Sequence, residues 1–334
     1  MNRFQKYYAP LAASGAMVML ILDSKTAIDA AAQAIELCVR TAIPSLFPFF
    51  VLSGILVPYA SHLRVPFLGR LLSVPEGWES IFLLGCLGGY PVGAQCVAQG
   101  YATGKLDENQ AQRMLGFCTN CGPSFLFGIV GSAFAGNASA FAITLIGILS
   151  AVTVGMFWPT EHETSTYSPE IPHVSLPQAI RQAVRSMSSV CAWIILGKIL
   201  LTFLSKWFLW QLPSEAQLGL TGILELTNGC LMLNQCADEQ MRFILACAIT
   251  SFGGICVMMQ VWAICHDAKL ATKCYLPQKA LQAVTAAGLA TAYVIHPGAP
   301  LVLVGIGAIL WILRKKTVEI PKSVVYNGAN KGGI

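Results

Sequence analysis

The chain has 334 residues, of which 55% are hydrophobic and only 11% are charged. A soluble domain carries about 25% charged residues, so this composition excludes an ordinary globular protein in water. The net charge of +5 comes from the ends of apolar segments, and no basic stripe with interleaved aromatic residues indicates nucleic-acid binding.

Four long stretches contain no Asp, Glu, Lys or Arg. They lie between Glu79 and Lys105, between Arg113 and Glu161, between Arg242 and Asp267, and between Lys279 and Arg314. A helix needs about 20 residues to cross the hydrocarbon core of a bilayer, and each stretch is long enough for at least one crossing. The sequence therefore predicts an all-α membrane protein that spans the bilayer several times.

The N-terminal region, residues 1–40, combines an apolar stretch with an amphipathic helix. The apolar residues 7–22 are followed by Asp23, Ser24 and Lys25 without a small-residue cleavage site, so we expect an uncleaved anchor. Apolar residues at helical spacing predict a weakly amphipathic helix over 25–41. A proline-containing apolar crossing then runs to about residue 60.

The next crossing is predicted over about 79–101, with glycines in its middle. Asp107 and Gln110 have the spacing of a capping box and predict the start of a helix that runs into the polar segment 117–124. Residues 137–158 are a plain apolar crossing. Residues 159–175, rich in Pro, Ser, Thr and Glu, form a polar linker that divides the chain into two halves.

The second half repeats the alternation of apolar and broken segments. In chain order we expect an amphipathic segment that holds Arg181 and Arg185, then a crossing to about residue 210, a helix start with a capping-box pattern at Ser214–Gln217, a re-entrant segment at 222–229, a crossing over 241–265 broken at Ser251–Gly254, and apolar segments at 280–295 and 298–313. Lys269, Lys273 and Lys279 precede the last two segments, and Arg314, Lys315 and Lys316 follow them. This pattern predicts a cytoplasmic C-terminus.

Two matching motifs indicate a binding site. Gly88–Gln95 and Gly253–Gln260 both read GGxxVxxQ, one in each half. Glycine-interrupted segments in corresponding positions of two halves are a sequence signature of the central site of a transporter, because a double glycine lets a helix unwind and frees backbone groups for a solute. The alternative is that these glycines only permit close helix packing.

Further polar residues occur at breaks in apolar runs. Thr119-Asn120 and Thr227-Asn228 offer hydrogen-bond donors and acceptors without a charge, or they could cap half-helices. Glu225 stands between two leucines in an uncharged stretch. A carboxylate in the bilayer usually has a role or a partner, but Glu225 could equally lie on the aqueous side of an amphipathic helix.

The predicted substrate-binding residues share glycine, hydroxyl, amide or carboxyl groups at these breaks. They are Gly88, Gly89, Tyr90, Pro91, Gln95, Thr119, Asn120, Gly122, Ser124, Glu225, Thr227, Asn228, Ser251, Gly253, Gly254 and Gln260.

Catalytic, metal and cofactor motifs do not emerge from the sequence. Cys118 and Cys121 form a CxxC, but a structural zinc site needs two further ligands, so we interpret the twelve scattered cysteines mainly as small apolar residues. No hydrolase, metalloprotease or Walker A motif is present. We therefore predict a protein that is not an enzyme and has no cofactor, with the coupling ion undetermined.

Five segments in one order carry a resemblance to a known family. They are Leu46–Phe50, Gly88–Gln95, Phe117–Pro123, Glu225–Gly229 and Ser251–Gly254. Over about residues 40–310 the chain resembles the YlbJ (SpoVV-like) sporulation integral membrane proteins of endospore-forming Firmicutes. That family belongs with the nucleoside-recognition or Gate-domain proteins, which are related to concentrative nucleoside transporters.

The resemblance implies an inverted-repeat transporter fold with broken helices and re-entrant hairpins. It places Gate-like repeats at 41–158 and 176–313, the linker at 159–175 and a basic cytoplasmic tail at 314–334. We expect a multi-pass protein of the cell membrane that transports a small polar, anionic solute, with dipicolinic acid during sporulation as the implied substrate. Alternatives are a nucleoside-type transporter and a non-transporting sporulation assembly protein. Expected partners are the lipid bilayer and the solute, and the oligomeric state is left open.

Overall fold

The computed structural model describes residues 5–60, 63–75, 77–134, 136–158 and 174–326. Most of the predicted linker (159–173) and the end of the tail (327–334) lie outside the described residues. The α-helices of the first half are α1 Gln5–Leu22, α2 Ser24–Leu37, α3 Ile43–Ala60, α4 Pro66–Leu72, α5 Glu79–Gly88, α6 Val92–Ala102, α7 Glu108–Cys118, α8 Pro123–Gly128 and α9 Asn137–Phe157. Those of the second half are α10 Leu176–Trp207, α11 Ser214–Leu224, α12 Leu226–Met232, α13 Glu239–Phe252, α14 Gly254–Asp267, α15 Tyr275–Ile295 and α16 Ala299–Tyr326.

The fold is all-α, and no strand occurs in the ranges described. Four helical stretches in these ranges are long and apolar enough to cross a membrane: Ser24–Leu56, Asn137–Phe157, Leu176–Trp207 and Glu239–Asp267. This confirms the prediction of a polytopic all-α membrane protein. The amphipathic helix and the crossing predicted on either side of residue 41 form one stretch, because the π-helical turn Cys38–Ala42 joins α2 to α3 without interrupting the helix.

The predicted crossing over 79–101 is wrong, because these residues form a helical hairpin. α5 has 10 residues and α6 has 11, and at 1.5 Å per residue each covers only about half of a bilayer core. The two helices pack side by side, so that a Cβ added at Gly93 would lie 3.3 Å from the Cα of Gly85. Gly89, with φ +69°, lets the chain reverse at the apex.

A second hairpin consists of α11 and α12, with Glu225 between them. The helices pack so closely that a Cβ on Gly229 would collide with the backbone of Gly222. The helix start predicted at Ser214–Gln217 is confirmed, since α11 begins at Ser214, but its capping box is not formed. Pro213 is the N-cap of α11 without a side-chain cap, and the Gln217 amide donates backwards to the carbonyl oxygen of Leu212 at 2.9 Å.

Each hairpin is followed by a broken helix and then by an unbroken one. α7 begins at the predicted capping box of Asp107 and Gln110, and the non-helical residues 119–122 separate it from α8. α13 and α14 meet at Gly253, which confirms the break predicted at Ser251–Gly254. The unbroken helices α9 and α15 pack against each other and against α7 and α13, and α3 packs against α10. The hairpins and the breaks lie between the pair α9 and α15 on one side and the pair α3 and α10 on the other.

Candidate functional site

One cavity, which we call the central cavity, lies where both hairpin apices meet the first break, and its volume of about 540 Å³ includes space open to solvent. Its polar side consists of Gly88, Gly89 and Tyr90 from the first apex, Cys121, Gly122 and Ser124 from the first break, Glu225 and Thr227 from the second apex, and Gln260 from α14. Its apolar side comes mainly from α3 and α10, with Leu46, Phe50, Val190, Trp193 and Ile194. An apolar wall that faces a few convergent polar groups is typical of small-molecule sites.

Glycines allow the first hairpin to press onto the first break. A Cβ on Gly85 or Gly93 would collide with the carbonyl oxygen of Cys118, at the last residue of α7. At the apex, a Cβ on Gly89 would lie 2.8 Å from the backbone nitrogen of Gly122. The packing interpretation of the glycines is therefore correct at these positions, and close packing also exposes the backbone of Gly89 and Gly122 to the cavity.

The first apex also touches the second break. The Tyr90 hydroxyl donates to the carbonyl oxygen of Thr250 at 3.3 Å, and a Cβ on Gly253 would lie 2.6 Å from that hydroxyl oxygen. On the other side, a Cβ on Gly254 would lie 3.1 Å from the backbone nitrogen of Leu226. Both hairpin apices therefore converge on the second break.

Glu225 is buried, with 3% of its surface exposed, and it lines the central cavity. Its carboxylate caps α12: Oε1 accepts from the backbone nitrogen of Thr227 at 3.0 Å, and Oε2 accepts from the backbone and side-chain nitrogens of Asn228, both at 2.7 Å. Glu225 therefore does not lie on the exposed side of an amphipathic helix. Asn228 therefore holds the carboxylate of Glu225 in place and does not itself line the cavity.

A smaller cavity of about 330 Å³ lies on the other side of Cys121, which lines both cavities. Asn120, Ser251 and Gln282 give it polar groups. The buried hydroxyl of Ser251 has no hydrogen-bond partner within the described part of the chain. This cavity therefore offers an unpaired polar atom, which is uncommon in a packed protein interior.

Side chains of α15 donate hydrogen bonds to polar groups of the first break. Lys279 is 0% exposed, and its Nζ donates to the carbonyl oxygen of Thr119 at 2.9 Å and to Gln282 Oε1 at 2.6 Å. Gln282 Nε2 donates to Asn120 Oδ1 at 3.0 Å and to Ser150 Oγ on α9 at 3.5 Å. This network fixes the extended residues between α7 and α8 against two unbroken helices.

The structure distributes the predicted site residues over four environments. The central cavity is lined by Gly88, Gly89, Tyr90, Gly122, Ser124, Glu225, Thr227 and Gln260, and the smaller cavity by Asn120 and Ser251. Pro91, Thr119, Asn228, Gly253 and Gly254 contact these residues or cap the neighbouring helices without lining either cavity. Gln95 is exposed on α6 and is not brought to the site.

The two GGxxVxxQ motifs lie in different kinds of element. Gly88-Gly89 forms the apex of a hairpin, whereas Gly253-Gly254 breaks a helix. By order of elements, the partner of Gly88-Gly89 is the apex at Glu225, and the partner of the second break is Thr119–Gly122. The motifs nevertheless meet in space, because Tyr90 contacts Gly253.

In the sequence, Lys279 counts with the basic cluster before the last two apolar segments, whereas the structure buries it within α15. Lys279 and Gln282 are buried polar residues that the sequence prediction missed, as is Gln278, whose Nε2 donates to the carbonyl oxygen of Arg113 at 3.2 Å. The available signal is their spacing: positions 278, 279 and 282 share one helix face with Ala286 and further buried residues of α15.

The helices and the cavity at their breaks define a polytopic all-α membrane protein. The chain is similar to the sporulation integral membrane protein YlbJ of Bacillus subtilis (strain 168), with 24% identity over 316 residues, covering 80% of this chain and 78% of that protein. This similarity confirms the predicted resemblance to YlbJ-like proteins. No model of a known protein family and no solved structure matches the chain.

Proposed function

We propose that the chain is a membrane transporter or facilitator of a small polar solute and that the central cavity is its binding site. The observation that carries the proposal is a cavity whose lining combines both hairpin apices with the first break. Broken helices at a binding site are a general feature of secondary transporters. A non-transporting assembly protein gives no reason for a cavity lined by two apices and a break.

The two sides of the cavity favour a flat solute with a polar edge. Trp193 and Phe50 offer aromatic surfaces on the apolar side, where a planar ring can stack. Gln260, Ser124 and Thr227 offer amide and hydroxyl groups on the polar side. Both dipicolinic acid, which the family resemblance implies, and a nucleoside have this shape.

The charges of the cavity favour an uncharged solute. Glu225 is the acidic group of the lining, and within the described residues no Lys or Arg side chain lines the cavity. A dicarboxylate would meet a carboxylate without a compensating cation, which is costly away from water. An anionic solute, as predicted from the sequence, would therefore have to enter protonated or together with a cation. A nucleoside is uncharged and needs neither, so Glu225 favours a nucleoside as the second candidate.

The order of elements supports two repeats. Apart from the short α4, helix, hairpin, broken helix and unbroken helix follow one another as α3, α5–α6, α7–α8 and α9, and again as α10, α11–α12, α13–α14 and α15. The repeats would then cover 43–157 and 176–295, with α16 outside. Lys269 and Lys273, before α15, and Arg314, near the end of the apolar part of α16, keep a cytoplasmic C-terminus as our proposal.

Uptake into proteoliposomes tests the function. The purified chain should accumulate labelled dipicolinate, uridine or adenosine faster than protein-free vesicles. Gln260→Ala and Ser124→Ala should each lower kcat/KM for that solute by about tenfold or more, since each removes a polar group from the cavity.

Gln95→Ala is the matched control, because Gln95 carries the same group on an exposed face of α6 and its variant should transport as the unmodified chain does. Uptake that falls in Gln95→Ala and not in Gln260→Ala would place the site elsewhere. A folded chain that takes up none of these solutes would favour the assembly protein.

A further inference from the structure

A buried lysine holds the carbonyl end of the first broken helix. Thr119 is the C-cap of α7, and its carbonyl oxygen accepts from Lys279 Nζ at 2.9 Å. The ammonium also donates to Gln282 Oε1 and lies 5.6 Å from the centroid of the Tyr90 ring. A cation at this place is favourable, because the C-terminal end of a helix carries a partial negative charge and an aromatic face attracts cations.

The surroundings of Lys279 contain neutral oxygens instead of a counter-ion. Among the described residues no acidic side chain forms an ion pair with it. The nearby oxygens are the Thr119 carbonyl and Gln282 Oε1, with Asn120 Oδ1 and Ser150 Oγ bound to the same glutamine. Carbonyl, amide and hydroxyl oxygens are the ligands that hard metal cations prefer in proteins.

Such a set of ligands has a known use in transport proteins with broken helices. There, carbonyls of unwound backbone and the C-terminal ends of half-helices coordinate the coupling Na⁺ or H⁺. In this chain the position beside the carbonyl of Thr119 is filled by a side chain of α15, and the apex residue Tyr90 lies against the same ammonium.

We propose that Lys279 is a built-in cation that takes the place of a coupling metal ion at the first break, so that transport does not depend on Na⁺. This inference rests on the proposed transport function. The group that holds the break to α15 is part of the chain and is bound to the carbonyl oxygen of Thr119. The inference makes Lys279 a positioning residue, because it does not line the central cavity.

Transport by the unmodified chain and by Lys279→Ala gives the first test. Uptake by the unmodified chain should be the same, within about twofold, when Na⁺ is replaced by K⁺ or choline. Lys279→Ala should lower uptake by about tenfold or more, and ethylammonium or Na⁺ should restore a large part of it. Lys273→Ala, which removes an exposed lysine of the preceding loop, should change neither the rate nor the response to cations.

Two results would overturn the inference: uptake by the unmodified chain that needs a Na⁺ gradient, or a folded Lys279→Ala variant that loses uptake without any response to added cations. The second would reduce Lys279 to a link between helices. Should Lys279→Ala fail to fold, Lys279→Gln, which can still donate to the carbonyl of Thr119, serves instead, and its Na⁺ response decides in the same way.

A measurement without transport keeps this inference separate from the proposed function. Thermal unfolding in detergent should show that ethylammonium or Na⁺, compared with choline, raises the midpoint of Lys279→Ala and leaves the midpoints of the unmodified chain and Lys273→Ala unchanged. Equal midpoints of Lys279→Ala in all cations would refute a cation position at the first break. If the cations stabilise Lys279→Ala but the unmodified chain takes up no solute, the cation position stands and the proposed function fails.

Discussion

The two broken helices solve the same problem in different ways. In the first, the extended residues between α7 and α8 depend on partners from other helices: Lys279 binds the carbonyl of Thr119, and Gln282 binds Asn120. In the second, Gly253 and Gly254 turn the chain themselves with φ values of +87° and +82°. One break is held by side chains distant in sequence, and the other by local backbone conformation.

The two halves also differ in the buried titratable group that they contain. The first break has an ammonium and no acidic partner among the described residues, whereas the second apex has the carboxylate of Glu225, held by three N–H groups. The side chains that hold the first break can be removed one at a time, whereas the glycine conformation of the second break is lost as a whole. We therefore expect substitutions in the two halves to differ in what they disturb, and the following predictions run from the largest effect to the smallest.

Alanine at the closest helix contacts should have the largest effect, and it should be equal in both hairpins. A Cβ on Gly85 would collide with the carbonyl of Cys118, and one on Gly229 with the backbone of Gly222. Backbone cannot move aside as a flexible side chain can, so each variant should lose about 3 kcal/mol or more, or fail to fold. Thermal unfolding in detergent measures this.

Gly219→Ala on α11 is the control for the hairpin variants, since a Cβ there meets nothing within 4 Å. Its midpoint should equal or exceed that of the unmodified chain. If Gly85→Ala and Gly229→Ala are as stable as this control, the close packing of the hairpins described above is incorrect.

Gly253→Ala tests whether the second break, unlike the first, depends on the backbone conformation of glycine. An L-residue with a positive φ costs about 1–2 kcal/mol, and the new Cβ would press on the Tyr90 hydroxyl at 2.6 Å. We expect a loss of about 2 kcal/mol or more and slower uptake. Gly288→Ala on α15, with open space around it, should be neutral. Equal midpoints for both variants would show that the second break does not depend on glycine.

Glu225→Gln should destabilise the second apex by about 1–2 kcal/mol. The carboxylate accepts three hydrogen bonds through two oxygens, whereas an amide has one acceptor oxygen, so at least one buried donor loses its partner. Gln260→Ala, also in the cavity but outside the cap, should change uptake more than stability. A Glu225→Gln variant with unchanged unfolding would mean that the carboxylate does not cap α12.

The sequence predicts much of this fold, because runs without charge are a direct consequence of crossing a bilayer. It does not separate a crossing from a hairpin at 79–101. A run of about 20 apolar residues fits one helix that spans the core or two that each reach half-way, and only the contact of Gly85 with Gly93 decides.

The site is predictable where the chemistry is local. The residues of the two apices and of the first break are marked by glycine and polar groups in apolar runs, and most of them line a cavity. Lys279 is different, because its partner Thr119 lies 160 positions away in sequence. In the sequence, a lysine near the start of a helix looks the same whether its ammonium faces water or binds a distant carbonyl oxygen.

The smallest predicted effect concerns the starts of the two broken helices, which are built alike. Asp107 caps α7 by accepting from the backbone nitrogen of Gln110 at 2.8 Å, and Asp238 caps α13 by accepting from that of Gln240 at 2.9 Å. Asp107→Ala and Asp238→Ala should each cost about 1 kcal/mol. Faster amide hydrogen exchange in the first turn of α7 or α13 would measure it.

Because both aspartates are exposed, these variants should leave uptake unchanged. This outcome would confine the difference between the halves to the breaks and the apices. Suppose instead that Asp107→Ala slowed uptake as Lys279→Ala is expected to do, while Asp238→Ala did not. The two ends of α7 would then be coupled: loss of the cap at Asp107 would disturb the contact of Lys279 with Thr119 at the other end of the helix.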